Sequence, residues 1–359
     1  MPARRKIPSL VAILCATAAL AGCETLGYYW QAGAGHLALM RQRVEVDGLL
    51  ASAQTEPDVR RALERAVSIR DYAGGVLQLP VEGSYRHWVA VAGDAVSWNV
   101  FAAEPLALKA VQWCFPVAGC VAYRGYFERA RAQAYADQLA AKGYDVYVGG
   151  VSAYSTLGWF DDPLLSTFVR YDDVRLAGLL FHELAHRVAY VKGDTTFNES
   201  FATAVEVLGV EQWLRDGGRD DERARYAQWR QDYDAFIAWL LLERQALDRL
   251  YRSGLDEARM RAAKQAFFEA LWAQSYPSFR AAHGGAAYFD RWAEGVWNNA
   301  RLLSIASYHD RVDAFRHQFQ QLGCDWPAFY DAARSLAGLP ADDRGAALDR
   351  LQAARPEAC

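Results

Sequence analysis

A short motif, HELAH at residues 182–186, constrains this chain more than any other part of its sequence. Two histidines four positions apart in an apolar run lie on one face of a helix, so both imidazoles can bind one ion. This is the spacing of zinc hydrolases. Glu183 can reach water at the ion but is badly placed as a ligand. The segment NESFA at residues 198–202 adds a carboxylate from the next helix, and the set predicts a catalytic rather than a closed structural site.

Chance is a weak explanation for the motif. The chain contains only 7 histidines, and a random His-Glu-x-x-His is expected in roughly one of a hundred sequences of this composition. The alternative is that His182 and His186 are polar residues on a half-buried helix, but it leaves the nearby Asn-Glu-x-x-Ala segment unexplained. Acidic residues close in sequence also favour a metal site, because a ligand histidine usually donates its second ring N–H to a carboxylate or carbonyl.

These motifs resemble those of the glutamate-zincin metallopeptidases. The resemblance implies that Glu183 is the general base and that Glu199, which follows the asparagine, is the third zinc ligand beside His182 and His186. Other segments more closely resemble a family of predicted bacterial lipoprotein aminopeptidases over most of the mature chain. They lie at residues 113–116, 123–127, 153–159 and 197–202. This resemblance implies a zincin-like fold with its active site on two helices, one zinc ion and peptide substrates.

The resemblance leaves the position of cleavage open. The larger aminopeptidase families carry a Gly-x-Met-Glu-Asn strand that grips the substrate amine, and this sequence contains no such segment. Aminopeptidase and endopeptidase specificity are therefore both compatible with the motifs.

Two glutamates compete for the third ligand position. Glu199 lies 13 residues after His186, whereas the better-known zincins of this type use a longer spacing, which Glu206 would match. The Asn-Glu-x-x-Ala context favours Glu199, and a short connection can reverse a helix as well as a long one. Because the two glutamates nearly share a helical face, Glu206 is predicted to support a ligand or to bind the substrate amine.

The start of the chain predicts a secreted lipoprotein. Basic residues at 4–6 precede an apolar run at 10–20 that is too short to span a bilayer comfortably. The Leu-Ala-Gly-Cys that follows resembles the bacterial lipobox, which implies removal of residues 1–22 and lipid on Cys23. An uncleaved anchor is the alternative. Both place the bulk of the chain outside the cytoplasm, and we expect a periplasm-facing envelope protein anchored to a membrane.

The net charge argues against nucleic acid as a partner. The formal charge is −4, and loss of the three signal cations makes the mature chain more negative still. A mildly acidic surface is unfavourable for binding a phosphate backbone. The predicted partners are a peptide or unfolded protein and, through the lipid, a membrane.

Four cysteines remain in the mature chain besides Cys23, an even number in an oxidising compartment. Proximity in sequence predicts that Cys114 pairs with Cys120 and that Cys324 pairs with Cys359, which would tie down the C-terminus. Zinc ligated by cysteine is the alternative, although the spacing contains no Cys-x-x-Cys pair.

The hydrophobic pattern predicts a mainly α chain with a small β-rich portion, an α+β class, in one domain at residues 23–359. Strands are expected within about 97–156, and nearly everything after 165 is expected to be helical. The predicted helices are 26–43, 58–72, 129–142, 222–250 and 256–275, and the predicted strands are 97–103, 119–123 and 145–148.

A substrate strand is predicted upstream of the HELAH helix. In zincins an edge strand beside the zinc helix holds the substrate backbone in extended form, and residues 147–156 occupy the corresponding place. Tyr154, Ser155 and Thr156 at its end are candidates for lining the cleft. An ordered loop that packs Trp159 on the core is the alternative.

A polar cluster downstream is the candidate source of a transition-state donor. Asn298 and Asn299 lead into Tyr308 and His309, and either of the last two could stabilise the oxyanion. The alternative is an asparagine-capped helix end with polar surface residues.

Together these features predict a zinc peptidase. Two neutral imidazoles and one carboxylate leave a zinc position open for water, whose acidity the ion raises. Glu183 would take the proton as the water attacks the peptide carbonyl and pass it to the leaving nitrogen. The alternatives are an envelope endopeptidase of the same chemistry and a non-catalytic metal-binding lipoprotein. An intact Glu183 argues against the latter, because a structural zinc needs no base.

Overall fold

The computed structural model describes residues 27–115, 119–153, 161–285, 288–306 and 311–354. Helices account for 61% and strands for 10% of it. This confirms the predicted mainly α class with a small β part.

Helices and short strands alternate up to residue 165. They are α1 (27–41), β1 (Val44–Glu45), α2 (Val46–Ala51), α3 (Pro57–Gly75), β2 (His87–Val89), β3 (Ser97–Ala103), β4 (Trp113–Phe115), β5 (Gly119–Val121), β6 (Tyr123–Tyr126), α4 (Arg129–Ala141), β7 (Asp145–Val151) and β8 (Leu164–Leu165). The strand predicted at 119–123 is two strands, β5 and β6. The short strands β1, β2, β4 and β8 were not predicted, because two or three residues give no alternating pattern.

The strands form three small sheets in the described part of the chain. Their orders are β1-β2-β8, β6-β3-β7 and β4-β5. In the second sheet β3 is central and pairs antiparallel with both neighbours, so β6 and β7 are its edges. Helices α4 and α11 pack against β3 and β7.

One predicted disulfide is confirmed. Cys114 and Cys120 are opposite each other in the β4-β5 hairpin and are bonded. Cys324 is also disulfide-bonded, but its partner lies outside the described residues. Its pairing with Cys359 therefore stays a prediction.

The described chain after residue 165 is helical, as predicted. The helices are α5 (Asp173–Ala185), α6 (Thr195–Asp216), α7 (Asp220–Tyr251), α8 (Glu257–Ala270), α9 (Tyr276–Ala282), α10 (Asp290–Ala293), α11 (Asn299–Ala306), α12 (Val312–Gln321), α13 (Trp326–Ala337) and α14 (Ala341–Gln352). A π-helical turn at Leu271–Ser275 joins α8 to α9. Within the described ranges, no helix is long and apolar enough to cross a membrane.

Helices α5 and α6 lie at the centre of the largest hydrophobic core. Helix α6 is buried on almost all sides, and α3, α12 and α13 contribute to the same core. Gly209 of α6 permits the close approach to α5, since a Cβ there would lie only 2.9 Å from Phe181 Cδ2 and from Leu77 Cδ1. The two motif-bearing helices are therefore the most firmly packed part of the fold.

Candidate metal centre

Helix α5 carries the two histidines of the HELAH motif. Asp172 caps its start by accepting a hydrogen bond from Arg175 N at 2.9 Å. The helix ends at Ala185, but His186 keeps a helical conformation (φ −59°, ψ −21°), so the one-turn relation to His182 holds. The two imidazole centroids lie 4.9 Å apart with an angle of 82° between the rings.

The asparagine of the NESFA motif holds the turn between α5 and α6. Buried Asn198 accepts a hydrogen bond from Val191 N at 2.7 Å and donates one to Val191 O at 2.9 Å. Asp194 caps α6 by accepting from Phe197 N at 2.9 Å. These local bonds fix the start of α6 and so fix the direction of the next side chain, Glu199.

Glu199 lies against both histidines. Its Oε2 is 3.3 Å from His182 Nε2 and its Oε1 is 3.9 Å from His186 Nε2. One ligand atom from each of the three residues lies within 4.8 Å of the other two, and within the described ranges they are the group of side chains that could hold a metal ion.

Glu206 contacts the opposite nitrogen of His182. Its Oε2 lies 3.1 Å from His182 Nδ1. Gly178 on α5 leaves room for this contact, because a Cβ there would lie 3.3 Å from the Glu206 side chain. The two glutamates that competed in the sequence therefore have different positions: Glu199 belongs to the group that could hold a metal ion, and Glu206 contacts the other ring nitrogen of His182.

The electrostatics of the two histidines differ. Burial acts to lower the pKa of His182, but hydrogen bonds with Glu199 and Glu206 outweigh it and hold that pKa well above its usual value. Burial, reinforced by the charge of His182, lowers the pKa of His186 to about 4. The two carboxylates thus favour the protonated, positively charged form of His182. His186, in contrast, is neutral at physiological pH.

A buried tyrosine from a distant loop lies near Glu183. Tyr85 is 4% exposed and has a left-handed backbone (φ 61°), and its N–H donates to Asp162 O at 2.7 Å. Burial raises the pKa of Tyr85 well above its usual value, and the charges of Glu183 and Asp162 raise it further. The phenol therefore stays protonated as a donor. A bulky residue with positive φ persists only where its surroundings enforce it.

Two arginines hold the loop that carries Tyr85. Arg187, which directly follows His186, donates to Pro80 O and to Ser84 Oγ, both at 2.8 Å. Arg70 donates to Ser84 O at 2.8 Å. The loop is thereby tied to the end of the HELAH segment, a link between residues about a hundred positions apart that sequence reasoning missed.

Tyr123 on β6 is a second tyrosine that sequence reasoning did not assign to the site. Burial raises its pKa, and the charges of Glu199 and Glu183 contribute to the rise. Tyr190 has its pKa raised by burial and by Glu199. Both phenols are therefore protonated, and both feel the charge of Glu199.

Helix α7 presents three residues at i, i+4 and i+7 to Glu206. Burial and the charge of Glu206 raise the pKa of Tyr226 well above its usual value, and its buried hydroxyl has no hydrogen-bond partner among the described residues. Arg230 is 7% exposed and pairs with Asp234 at 2.6 Å. Burial raises the pKa of Tyr233 to about 12. The sequence predicted a helix at 222–250 but did not assign these residues to the site.

Asn298 and Asn299 have a structural role, as the alternative interpretation held. Asn298 Oδ1 accepts from Arg301 N at 3.0 Å at the start of α11. Asn299 is fully buried, and its amide donates to Glu104 O at 2.9 Å and to Ala107 O at 3.2 Å. Both asparagines fasten α11 beside the β3 sheet.

Several predicted site residues lie outside the described residues, so their roles stay predictions. They are Cys23, Tyr154, Ser155, Thr156, Tyr308, His309 and Cys359. The first part of the predicted substrate strand is β7, which is an edge strand of its sheet.

Comparison with known proteins gives one match. The chain matches the model of the family described as "Putative aminopeptidase" over residues 27–348, which is most of its length. No curated protein and no solved structure matches it.

Proposed function

Because the chain belongs to the "Putative aminopeptidase" family, we propose that it is a zinc-dependent peptidase with a zincin-like arrangement of its two motif helices. The observation that carries this proposal is the group formed by His182, His186 and Glu199, whose ligand atoms lie within 4.8 Å of one another. Two imidazoles and one carboxylate are a catalytic zinc ligand set that leaves a coordination position open.

The donor set fits a divalent cation. Two carboxylates flank one half-buried imidazole, and negative charges that are partly removed from water favour a compensating positive charge between them. With Nδ1–H of His182 donating to Glu206, a bound ion would replace the proton on Nε2, which faces Glu199, and this would give the arrangement of carboxylate, histidine and metal. A bound zinc ion would supply Lewis acidity, polarising the scissile carbonyl and making water acidic near neutral pH.

The protein's own groups would handle the proton. Glu183 accepts it from the attacking water and delivers it to the leaving nitrogen, which becomes the new amino terminus. Tyr85, kept protonated by burial, can donate to the Glu183 carboxylate and orient it. On the other side, the protonated phenols of Tyr123 and Tyr190 are donors for the carbonyl oxygen as negative charge develops there.

The substrate is proposed to bind in extended form along β7 and the segment that follows it. Tyr154, Ser155 and Thr156 would line this cleft, and Tyr308 or His309 would add a further oxyanion donor. Helix α7 would lie on the Glu206 side of the centre, where Arg230 and Tyr226 interact electrostatically with the Glu206 carboxylate.

A direct test compares peptide pairs that differ only in acetylation of the amino terminus. The zinc-loaded protein is expected to cleave the free peptides, and removal of zinc by a chelator should abolish cleavage until zinc is restored. Mass spectrometry of the products identifies the bond that is cut. Cleavage of both members of a pair would indicate an endopeptidase. A zinc-loaded protein that cleaves no peptide would overturn the proposal in favour of a non-catalytic lipoprotein.

We also propose that the protein is anchored in the cell envelope by lipid on Cys23. The basic, apolar and Leu-Ala-Gly-Cys order of residues 4–23 motivates this proposal. Mass spectrometry of the membrane-extracted protein should find Cys23 as a lipid-modified amino terminus, and Cys23→Ser should block that modification. Cys15→Ser, which changes a cysteine inside the apolar run, is the control. A mature chain that begins elsewhere without lipid would contradict the assignment.

A further inference from the structure

A cavity of about 240 Å³ lies beside the metal centre. Its walls come from β3, from the hairpin and strand around Tyr123, from the first turn of α6 and from α11. The residues that line it include Tyr123, Asp194, Thr195, Leu303 and Ser304. The mechanism proposed above assigns no role to this space.

The cavity adjoins the residues that would hold the metal. Thr195 in its wall lies four residues before Glu199, so both side chains lie on the same face of α6. Tyr123 belongs both to the cavity wall and to the charge environment of Glu199 and Glu183. One helical turn is about 5.4 Å, and an extended peptide advances about 3.3 Å per residue. A substrate side chain that enters the cavity would therefore belong to a residue one or two positions from the bond that would be cut.

The walls carry no uncompensated charge among the described residues. Asp194 is the acidic residue of the lining, and its Oδ2 accepts two hydrogen bonds from buried Arg344, at 2.9 and 2.7 Å. Its Oδ1 caps α6 through Phe197 N. Burial raises the pKa of Tyr123, so its phenol is neutral. The remaining lining is uncharged and consists of small, hydroxyl and apolar side chains together with the amide of Gln112.

The size of the cavity suits a branched or aromatic side chain. A protein cavity of roughly 150 Å³ has room for benzene, and this cavity, at about 240 Å³ with hydroxyl groups among its walls, is larger. Its wall is also rigid: the hairpin is closed by the Cys114–Cys120 disulfide, and Gly119 lies so close to the α5–α6 turn that a Cβ would come 3.0 Å from Gly193 N.

We propose that this cavity is a specificity pocket for an uncharged side chain, leucine, methionine or phenylalanine, of a substrate residue one or two positions from the cleaved bond. The proposal rests on the peptidase function proposed above. It predicts that the protein discriminates against aspartate and lysine at that position, because a charged side chain would lose its hydration without a partner.

Two reciprocal substitutions on α11 test the pocket. Ser304→Phe should fill it, and Leu303→Ala should enlarge it; both residues are half-buried, which limits disturbance of the core. The control is Ser335→Phe at an exposed position of α13. The hydroxyl of Ser304 donates to Arg301 O at 2.8 Å, and that of Ser335 likewise donates to a helix carbonyl, Asp331 O at 2.8 Å. Pentapeptides with one variable residue X, placed at each position in turn, serve as ligands and substrates.

Binding and turnover are measured separately. Binding is followed by calorimetry with the zinc-loaded Glu183→Gln protein and with the same pocket variants made in it. At one position, leucine, methionine and phenylalanine should bind and be cleaved about 10- to 200-fold better than aspartate or lysine, the range for apolar pocket discrimination. Ser304→Phe should remove that preference, while the peptide with alanine at X should bind and be cleaved as before. Leu303→Ala should shift the preference toward phenylalanine. Ser335→Phe should change neither binding nor cleavage.

The two hypotheses can fail independently. Side-chain preference in binding that Ser304→Phe abolishes, without turnover by the wild-type protein, would support the pocket and overturn the peptidase function. Turnover or binding that does not depend on X, or a preference that Ser304→Phe leaves intact, would overturn the pocket and leave the peptidase function standing.

Discussion

Glu183→Gln is expected to lower peptide cleavage by about 10²- to 10⁴-fold, the usual contribution of a general base, while zinc content and thermal stability stay at wild-type levels. Glutamine has nearly the shape of glutamate but cannot accept the proton of the attacking water. Glu183 lies outside the group of ligand atoms, so its charge is not needed to hold the ion. Cleavage rate, zinc content and melting temperature are measured on the same preparation.

The matched control for this variant is Glu211→Gln. Glu211 is a half-exposed glutamate on α6 that faces Arg316 at 3.9 Å, and the same chemical change there should leave all three quantities unchanged. Zinc-loaded Glu183→Gln that cleaves peptides at the wild-type rate would show that Glu183 is not the base. Loss of zinc in that variant would instead place its carboxylate among the ligands.

The sequence predicted the parts of the centre whose geometry is local. The i, i+4 spacing of His182 and His186 follows from one helix, and the NESFA segment gave a glutamate at the start of the next. The asparagine in that segment also has a local reason, since Asn198 bonds both backbone groups of Val191 and sets the turn. Helix positions were predicted well for the same reason, because an apolar stripe repeats every three or four residues.

The parts that the sequence could not predict depend on packing between distant segments. Tyr85, whose pKa is raised by the charge of Glu183, lies on a loop that Arg187 and Arg70 hold in place. Helix α7 shows many charges in sequence, and nothing local marks the face of Tyr226 and Arg230 as buried. Helix α6 has no polar face over most of its length, so its pattern alone could not show which side carries a ligand.

The choice between Glu199 and Glu206 is the clearest example. Both lie on α6, seven residues apart, and both contact His182, so spacing could not separate them. The contact that Glu206 makes with Nδ1 requires the glycine at position 178 on the neighbouring helix. The position of each carboxylate relative to His182 thus depends on the packing between α5 and α6.

Glu199→Gln and Glu206→Gln are therefore expected to affect zinc binding to different degrees. Removal of a carboxylate that orients a ligand histidine typically weakens metal affinity by about 10- to 100-fold, so Glu206→Gln should still bind one zinc ion at saturating concentration. Glu199→Gln removes the only anionic ligand of the proposed set and should weaken binding further, leaving less than one zinc ion per chain. Competition with a chromophoric chelator measures both affinities, with Glu211→Gln as the control.

The folded state of each variant has to be measured alongside its affinity, because both glutamates also balance the charge of buried His182. Burial and the two carboxylates act in opposite directions on the pKa of this histidine, so either substitution should lower that pKa. Nuclear magnetic resonance titration of His182 in the zinc-free proteins would detect this change in both variants. If both variants lower the pKa of His182 by a similar amount but differ in zinc affinity, the two glutamates share an electrostatic role and only one of them is a ligand. Full zinc binding by Glu199→Gln and its loss in Glu206→Gln would transfer the ligand role to Glu206.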